Sequence, residues 1–184
     1  LVTPTKNQVL PDLIDTPTSL TMLVECGTRE QLQHCPYVHR HGKTMLVMGN
    51  DPDNLQAVLA PASGTLSMYN PDMIRAKLVA EYQRSNCDAE VCSLDAVRAF
   101  RVSVALYVSA DNVSFILAVY HFKYPKTRPW AKDCGNLLLL YKTVLQTLDG
   151  ADNARIIIAG DSNVQTVHEM NAETAPIIKQ HGFV

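Results

Sequence analysis

No charge of one sign dominates the chain. Its 184 residues carry 16 lysines and arginines against 18 aspartates and glutamates, a formal net charge of −2. That balance excludes a global basic footprint, so contact with a polyanion requires a local patch or a metal ion. No apolar run is long enough to span a membrane, and the first residues show no charged-then-apolar signal pattern. Cysteine is sparse and irregular. Cys26, Cys35, Cys87, Cys92 and Cys134 are odd in number and include no Cys-x-x-Cys pair, which argues against a disulfide framework and against the common zinc modules. Reduced thiols, and with them an intracellular reducing compartment, are the expectation.

What is present is apolar content. At 47% hydrophobic residues, the chain can bury one substantial core, so a single domain over 1–184 is expected. Pro4, Pro11 and Pro17 make the opening segment irregular. Leu20 to Glu25 is a short apolar run ending on a carboxylate, read as a strand. The polar stretch 26–43 holds His34, His39 and His41 among its cysteines, and without finger spacing it reads as a loop. Thr44–Met48 and Leu55–Ala60 read as a hairpin joined by a turn-rich linker. Asn70-Pro71 starts a helix, with the amide as cap and a proline that needs no donor. Met73, Ile74, Leu78 and Tyr82 line one face of it to about Arg84.

Residues 85–97 read as a loop. Val102, Val104, Leu106 and Val108 alternate as in a strand with one buried face. Asp111-Asn112 turns the chain into Val113–Tyr120, which ends at His121. The loop 122–135 sets Lys123, Lys126, Arg128 and Lys132 among Phe122, Tyr124 and Trp130. Such a mixture suits a nucleic-acid or phosphate contact, and equally a solvated loop anchored by its tryptophan. The leucines from Leu137 to Leu148, with Tyr141 and Val144, form a wide helical stripe that stops near Gly150. Thr174-Ala175-Pro176 starts a last short helix closed by Gly182. His168 and His181 read as surface residues. This order of elements indicates a mixed α+β or α/β sandwich.

One stretch organises the rest. Ile156-Ile157-Ile158 reads as a central strand packed on both faces. Gly160 then lets the backbone bend, delivering Asp161 and Asn163 to the rim of the sheet. An acid and an amide there can hold a water, a metal or a phosphate; a plain Asp/Asn/Ser turn has the same pattern.

With these residues in order, the chain resembles the endonuclease/exonuclease/phosphatase superfamily, whose deoxyribonuclease I-like fold packs two mixed β-sheets between helices as a four-layer sandwich. Leu20–Glu25 is similar to the strand ending in the family's metal-binding glutamate. Arg98 sits where many members have an arginine. Val119-Tyr120-His121 resembles the strand ending in the family's histidine, and Gly160-Asp161-Ser162-Asn163 is similar to its Gly-Asp-x-Asn motif. Gly182-Phe183 resembles its usual helix-to-loop step. Asn7 is the only candidate for the family's early asparagine. The closing Ser-Asp-His-like motif of the family has no counterpart before Val184, so the last strands of the fold are expected to be lacking.

The resemblance implies a Mg²⁺- or Mn²⁺-dependent phosphoesterase, foremost a nuclease acting on RNA or DNA. Glu25 is then the metal ligand, with Asp161, Asn163, His121 and Asn7 catalytic. Arg98, Lys123, Tyr124, Lys126, Arg128 and Trp130 are candidate substrate contacts. Asp161 orients the attacking water, Asn163 binds the phosphate or fixes Asp161, and His121 donates to a phosphate oxygen or assists the leaving group. Two alternatives stay open. A degenerate, inactive domain would serve as a binding or scaffold module with protein partners in a larger complex. Gly160-Asp161-Ser162 also resembles the block of the Gly-Asp-Ser serine esterases, but no Asp-x-x-His pair follows it.

Overall fold

The computed structural model describes residues 19–24, 42–48, 55–85, 94, 97, 101–122, 130–164, 168, 170–180 and 182. Seven strands and three α-helices form within them. Strand β1 is Thr21–Leu23, β2 Lys43–Met48, β3 Gln56–Pro61 and β4 Thr65–Met68. Helix α1 is Pro71–Arg84, β5 Arg101–Val108, β6 Ser114–His121, α2 Trp130–Leu145, β7 Ala154–Asp161 and α3 Ala175–Gln180. A π-helical turn, Met170–Thr174, leads into α3. Gly182 follows α3 at φ +75°, a conformation glycine takes at no steric cost.

The strands make two sheets, ordered β1-β3-β2 and β4-β5-β6-β7. All described pairs of the first are antiparallel. The second is mixed, because β7 runs parallel to β6. Consecutive parallel strands need a crossover, and α2 supplies it. The α/β class and the two packed sheets with flanking helices are as the sequence indicated.

Side-chain alternation sorts the core into layers. Val104, Ile116 and Ala118 face Ile74 and Leu78 of α1 and Leu137, Tyr141, Val144 and Leu145 of α2. Ala105, Tyr107, Leu117 and Val119 point the other way, onto Met48, Val58 and Ala60 of the first sheet. Strand β5 is therefore buried on both faces rather than one. Its small inward residues, Ser103 and Ala105, let the two sheets close over it, which alternation alone does not reveal. On the far face of the first sheet, Leu55 and Ala57 are buried with Leu23, Met45 and Val47 against them.

Three other readings change. Strand β7 packs on both faces, through Ile156 and Ile158 to the helices and Ile157 to the other sheet. Yet it is the outermost strand of its sheet among the described residues, not a central one. Helix α2 begins at Trp130, so residues 130–135 of the expected loop are its first turns. Strand β4 was not anticipated: Thr-Leu-Ser-Met alternates over only four residues, and its pairing with β5 holds it. The start of α1 agrees in detail. Asn70 Oδ1 accepts from Asp72 N at 2.8 Å and Met73 N at 3.3 Å, with Pro71 leading.

Candidate active site at the carboxyl ends of β6 and β7

Register decides which residues meet. Counting from the Asp111-Asn112 turn, β5 and β6 pair so that Arg101 lies opposite His121. The parallel ladder then sets His121 opposite Asp161. Arg101, His121 and Asp161 thus stand in one row across three strands. They share the parity of Ala105, Val119 and Ile157, so the row lies on the side of the sheet that faces the other sheet. The apolar layer between the sheets ends two residues earlier on β6, at fully buried Val119. Polar side chains begin where that layer meets solvent. His121 is half-buried and Asp161 exposed.

Beyond the strand ends, a compact set of bonds holds the arrangement. Phe122 N donates to Asp161 O at 2.9 Å, keeping β6 and β7 zipped one step past their last ladder pair. Asp161 Oδ1 accepts from Asn163 N at 2.7 Å, closing an Asx turn. Asn163 sits at φ +50°, a left-handed conformation that asparagine tolerates better than most residues. Its side chain is thereby thrown back across to β6. Asn163 Nδ2 donates to Phe122 O at 2.6 Å and lies 3.0 Å from His121 Nε2. Asp161, Asn163 and His121 are brought together. Asp161 Oδ2 accepts no hydrogen bond among the described residues.

Gly160 serves a different purpose from the one its sequence context suggests. The strand continues through it to Asp161. A Cβ there would fall on the Tyr120 carbonyl oxygen and against the Tyr120 ring. Glycine is needed for the close approach of two strands, and the turn comes later, at Asn163.

Behind the row, on the helix side, Tyr120 stacks on buried Phe122 with ring centroids 4.7 Å apart. Burial pushes the Tyr120 phenol well above its usual range, and the neighbouring Cys134 and Asp161 add to the shift. The Cys134 thiol of α2 is pushed up to about 12 by burial, reinforced by Asp133. Both therefore stay neutral at physiological pH and act as packing, not as nucleophiles. Phe122 belongs to this core, so it is not a substrate-facing aromatic of the loop. Trp130 is placed by its backbone as the first residue of α2.

Asn7, Glu25, Arg98, Lys123, Tyr124, Lys126 and Arg128 lie outside the described residues. So do His34, Cys35, His39 and His181, whereas His168 is exposed as expected. Ser162, the nucleophile of the esterase alternative, has its Oγ accepting from Val164 N at 3.4 Å. Arg101 was missed at the sequence level. The register of the β5–β6 hairpin was countable from the Asp111-Asn112 turn and would have placed it beside His121. Among the described residues no group of three or more His, Cys, Asp or Glu side chains is placed to hold a metal ion; Asp161 Oδ2, exposed at the rim, is a single oxygen donor of the kind a hard cation takes.

No family model and no curated protein matches the chain by sequence. Solved structures do match by shape. Zebrafish TDP2 complexed with a single strand DNA product is 14% identical with a TM-score of 0.52, covering 93% of this chain and 58% of that one. A zebrafish TDP2 humanized by 14 mutations gives 13% identity and a TM-score of 0.51, covering 97% of this chain and 63% of that one. The human Nocturnin catalytic domain, which holds a bound sulfate anion, gives 15% identity and a TM-score of 0.55, covering 89% of this chain and 58% of that one. The chain thus spans about three fifths of the length of these neighbours. Its fold is that of the endonuclease/exonuclease/phosphatase superfamily, to which TDP2 and Nocturnin belong.

Proposed function

We propose that the site hydrolyses phosphodiester bonds of nucleic acid with a divalent metal. The observation that carries this reading is the row of Arg101, His121 and Asp161 with Asn163 bonded into it, at the open end of the inter-sheet layer. Two neighbours support the substrate class: TDP2 holds a single strand DNA product, and the Nocturnin domain holds sulfate, an anion of phosphate-like shape.

The chemistry follows from the residues. The Asp161 carboxylate, anchored through Oδ1, presents Oδ2 to a water and accepts its proton as the oxygen attacks phosphorus. The bond from phosphorus to the leaving oxygen breaks, and that oxygen takes up a proton. A His121 ring N–H donates to a non-bridging oxygen as its charge grows. Arg101, next in the row, adds a fixed positive charge for the substrate phosphate. Glu25 is the residue assigned to hold Mg²⁺ or Mn²⁺, which when bound polarises the phosphoryl oxygen. Lys123, Tyr124, Lys126 and Arg128 are proposed to track the flanking nucleotides, and a reducing cell interior is the proposed setting.

The test is hydrolysis of end-labelled single-stranded RNA and DNA with Mg²⁺ or chelator, comparing wild type with Asp161→Asn. Metal-dependent cleavage that falls by about 10²–10⁴-fold in the variant is expected. A folded wild-type protein that cleaves neither polymer would overturn the nuclease reading in favour of a binding module.

A further inference from the structure

We infer that Asn163 is a positioning residue that sets the tautomer of His121, holding the ring proton on Nδ1. The inference deepens the proposed phosphoesterase site and starts from an assignment that the backbone makes without ambiguity. Phe122 O is a carbonyl and can only accept. The Asn163 atom 2.6 Å from it must therefore be the amide nitrogen, not the amide oxygen. With the amide orientation settled, the same Nδ2 lies 3.0 Å from His121 Nε2. Its second hydrogen points to the imidazole, so Nε2 has to offer a lone pair. A neutral imidazole with Nε2 as acceptor carries its hydrogen on Nδ1.

Two consequences separate this from the role assigned to the amide by sequence. Both Nδ2 hydrogens are committed, one to Phe122 O and one to His121. The Nδ2 group is thus a brace between β6 and the turn after β7, not a donor to a substrate phosphate. Any proton that His121 offers to a phosphate oxygen or a leaving group comes from Nδ1. The left-handed backbone at Asn163, closed by Asp161 Oδ1, is what aims the amide. Asp161, Asn163 and His121 therefore form one mechanical unit.

The measurement is a long-range ¹H–¹⁵N correlation of the imidazoles in the full, metal-free chain at about pH 8, above the ordinary histidine range. The His121 signals are assigned by their loss in His121→Gln. The expected wild-type pattern is a protonated Nδ1 and an unprotonated Nε2. Asn163→Gly removes the amide yet accepts the positive φ without strain, and should return the ring to the Nε2–H form that free imidazoles favour. An Nε2–H ring or an imidazolium in the wild type overturns the inference, as does an unchanged Nδ1–H ring in a folded Asn163→Gly protein. None of these readings depends on turnover. A protein that cleaves no phosphoester but shows the Nδ1–H ring in wild type and its inversion in Asn163→Gly leaves the inference standing, while the proposed function falls.

Discussion

Strand β6 has two neighbours, and they differ in kind. Its pairing with β5 is local: a tight turn at Asp111-Asn112 joins antiparallel strands over eight residue pairs. Its pairing with β7 is also eight pairs long, but parallel, and the chain must travel through α2 to make it. The antiparallel pair sets the end of one strand beside the start of the other, so His121 meets Arg101. Only the parallel pair sets two carboxyl ends side by side, and so brings His121 to Asp161. In the present molecule the cheap, local pairing delivers a cation, and the costly crossover assembles the acid, the histidine and the amide. The candidate site sits where the loop-closure entropy is larger.

The largest way to break this asymmetry is alkali. Burial raises the Cys134 thiol from 9.0 to about 12 and holds the Tyr120 and Tyr141 phenols above 10.0. All three lie on β6 or the α2 crossover. Since the fold favours their neutral forms, their contribution is intact below the ordinary values. It is lost as pH rises through the folded-state values, because the unfolded chain releases its protons first. Stability should fall above about pH 9 by roughly 1.4 kcal/mol per pH unit for each group engaged. Urea melts between pH 8 and 11 (about one melt per half unit) would follow the loss. Cys134→Ala should flatten the slope by one group's share. An unchanged slope would mean that the thiol is not held neutral by the fold.

A smaller effect separates the two pairings directly. Gly160→Ala drives a Cβ into the Tyr120 carbonyl and should cost about 1–3 kcal/mol by overpacking. It should also disturb the Asn163–His121 contact while leaving the β5–β6 hairpin intact. Denaturant melts give the first quantity, and imidazole and amide spectra the second. Perturbed amides in β5 would show that the pairings are not independent.

The smallest effect lies at the hairpin turn. Asn112 sits at φ +59°, so Asn112→Gly relieves a left-handed residue at some entropic cost. The net change should stay within about 1 kcal/mol, with cleavage unaltered. A loss of activity from this change would place the hairpin turn in the site's mechanics after all.

Legibility from sequence followed the same division. The helix start at Asn70-Pro71, the two strands around Asp111-Asn112 and the strand-then-turn at Ile156–Asn163 are local patterns, and each took the form its residues indicate. What sequence misread depended on partners. Gly160 looked like a bend because glycine before Asp and Asn usually is one, whereas its need comes from Tyr120 across the ladder. Phe122 and Trp130 looked like loop aromatics because Lys123, Lys126 and Arg128 surround them. Phe122 is instead held in the core by Tyr120 and α2, and Trp130 opens that helix. Strand β4 has too weak a pattern to be seen without β5 beside it.

By itself the sequence determined the alternation that sorts side chains between the helices and the first sheet, the capped start of α1, and the acid and amide emerging after β7. These are set by backbone preference and by the periods of strand and helix, which act within a few residues. Tertiary structure alone decided that β7 runs parallel to β6, that Arg101, His121 and Asp161 share one row, and that the Asn163 amide turns back to His121. Each of those depends on register between segments that the chain brings together only by burying α2. Register is set by packing and ladder hydrogen bonds, which no single segment encodes.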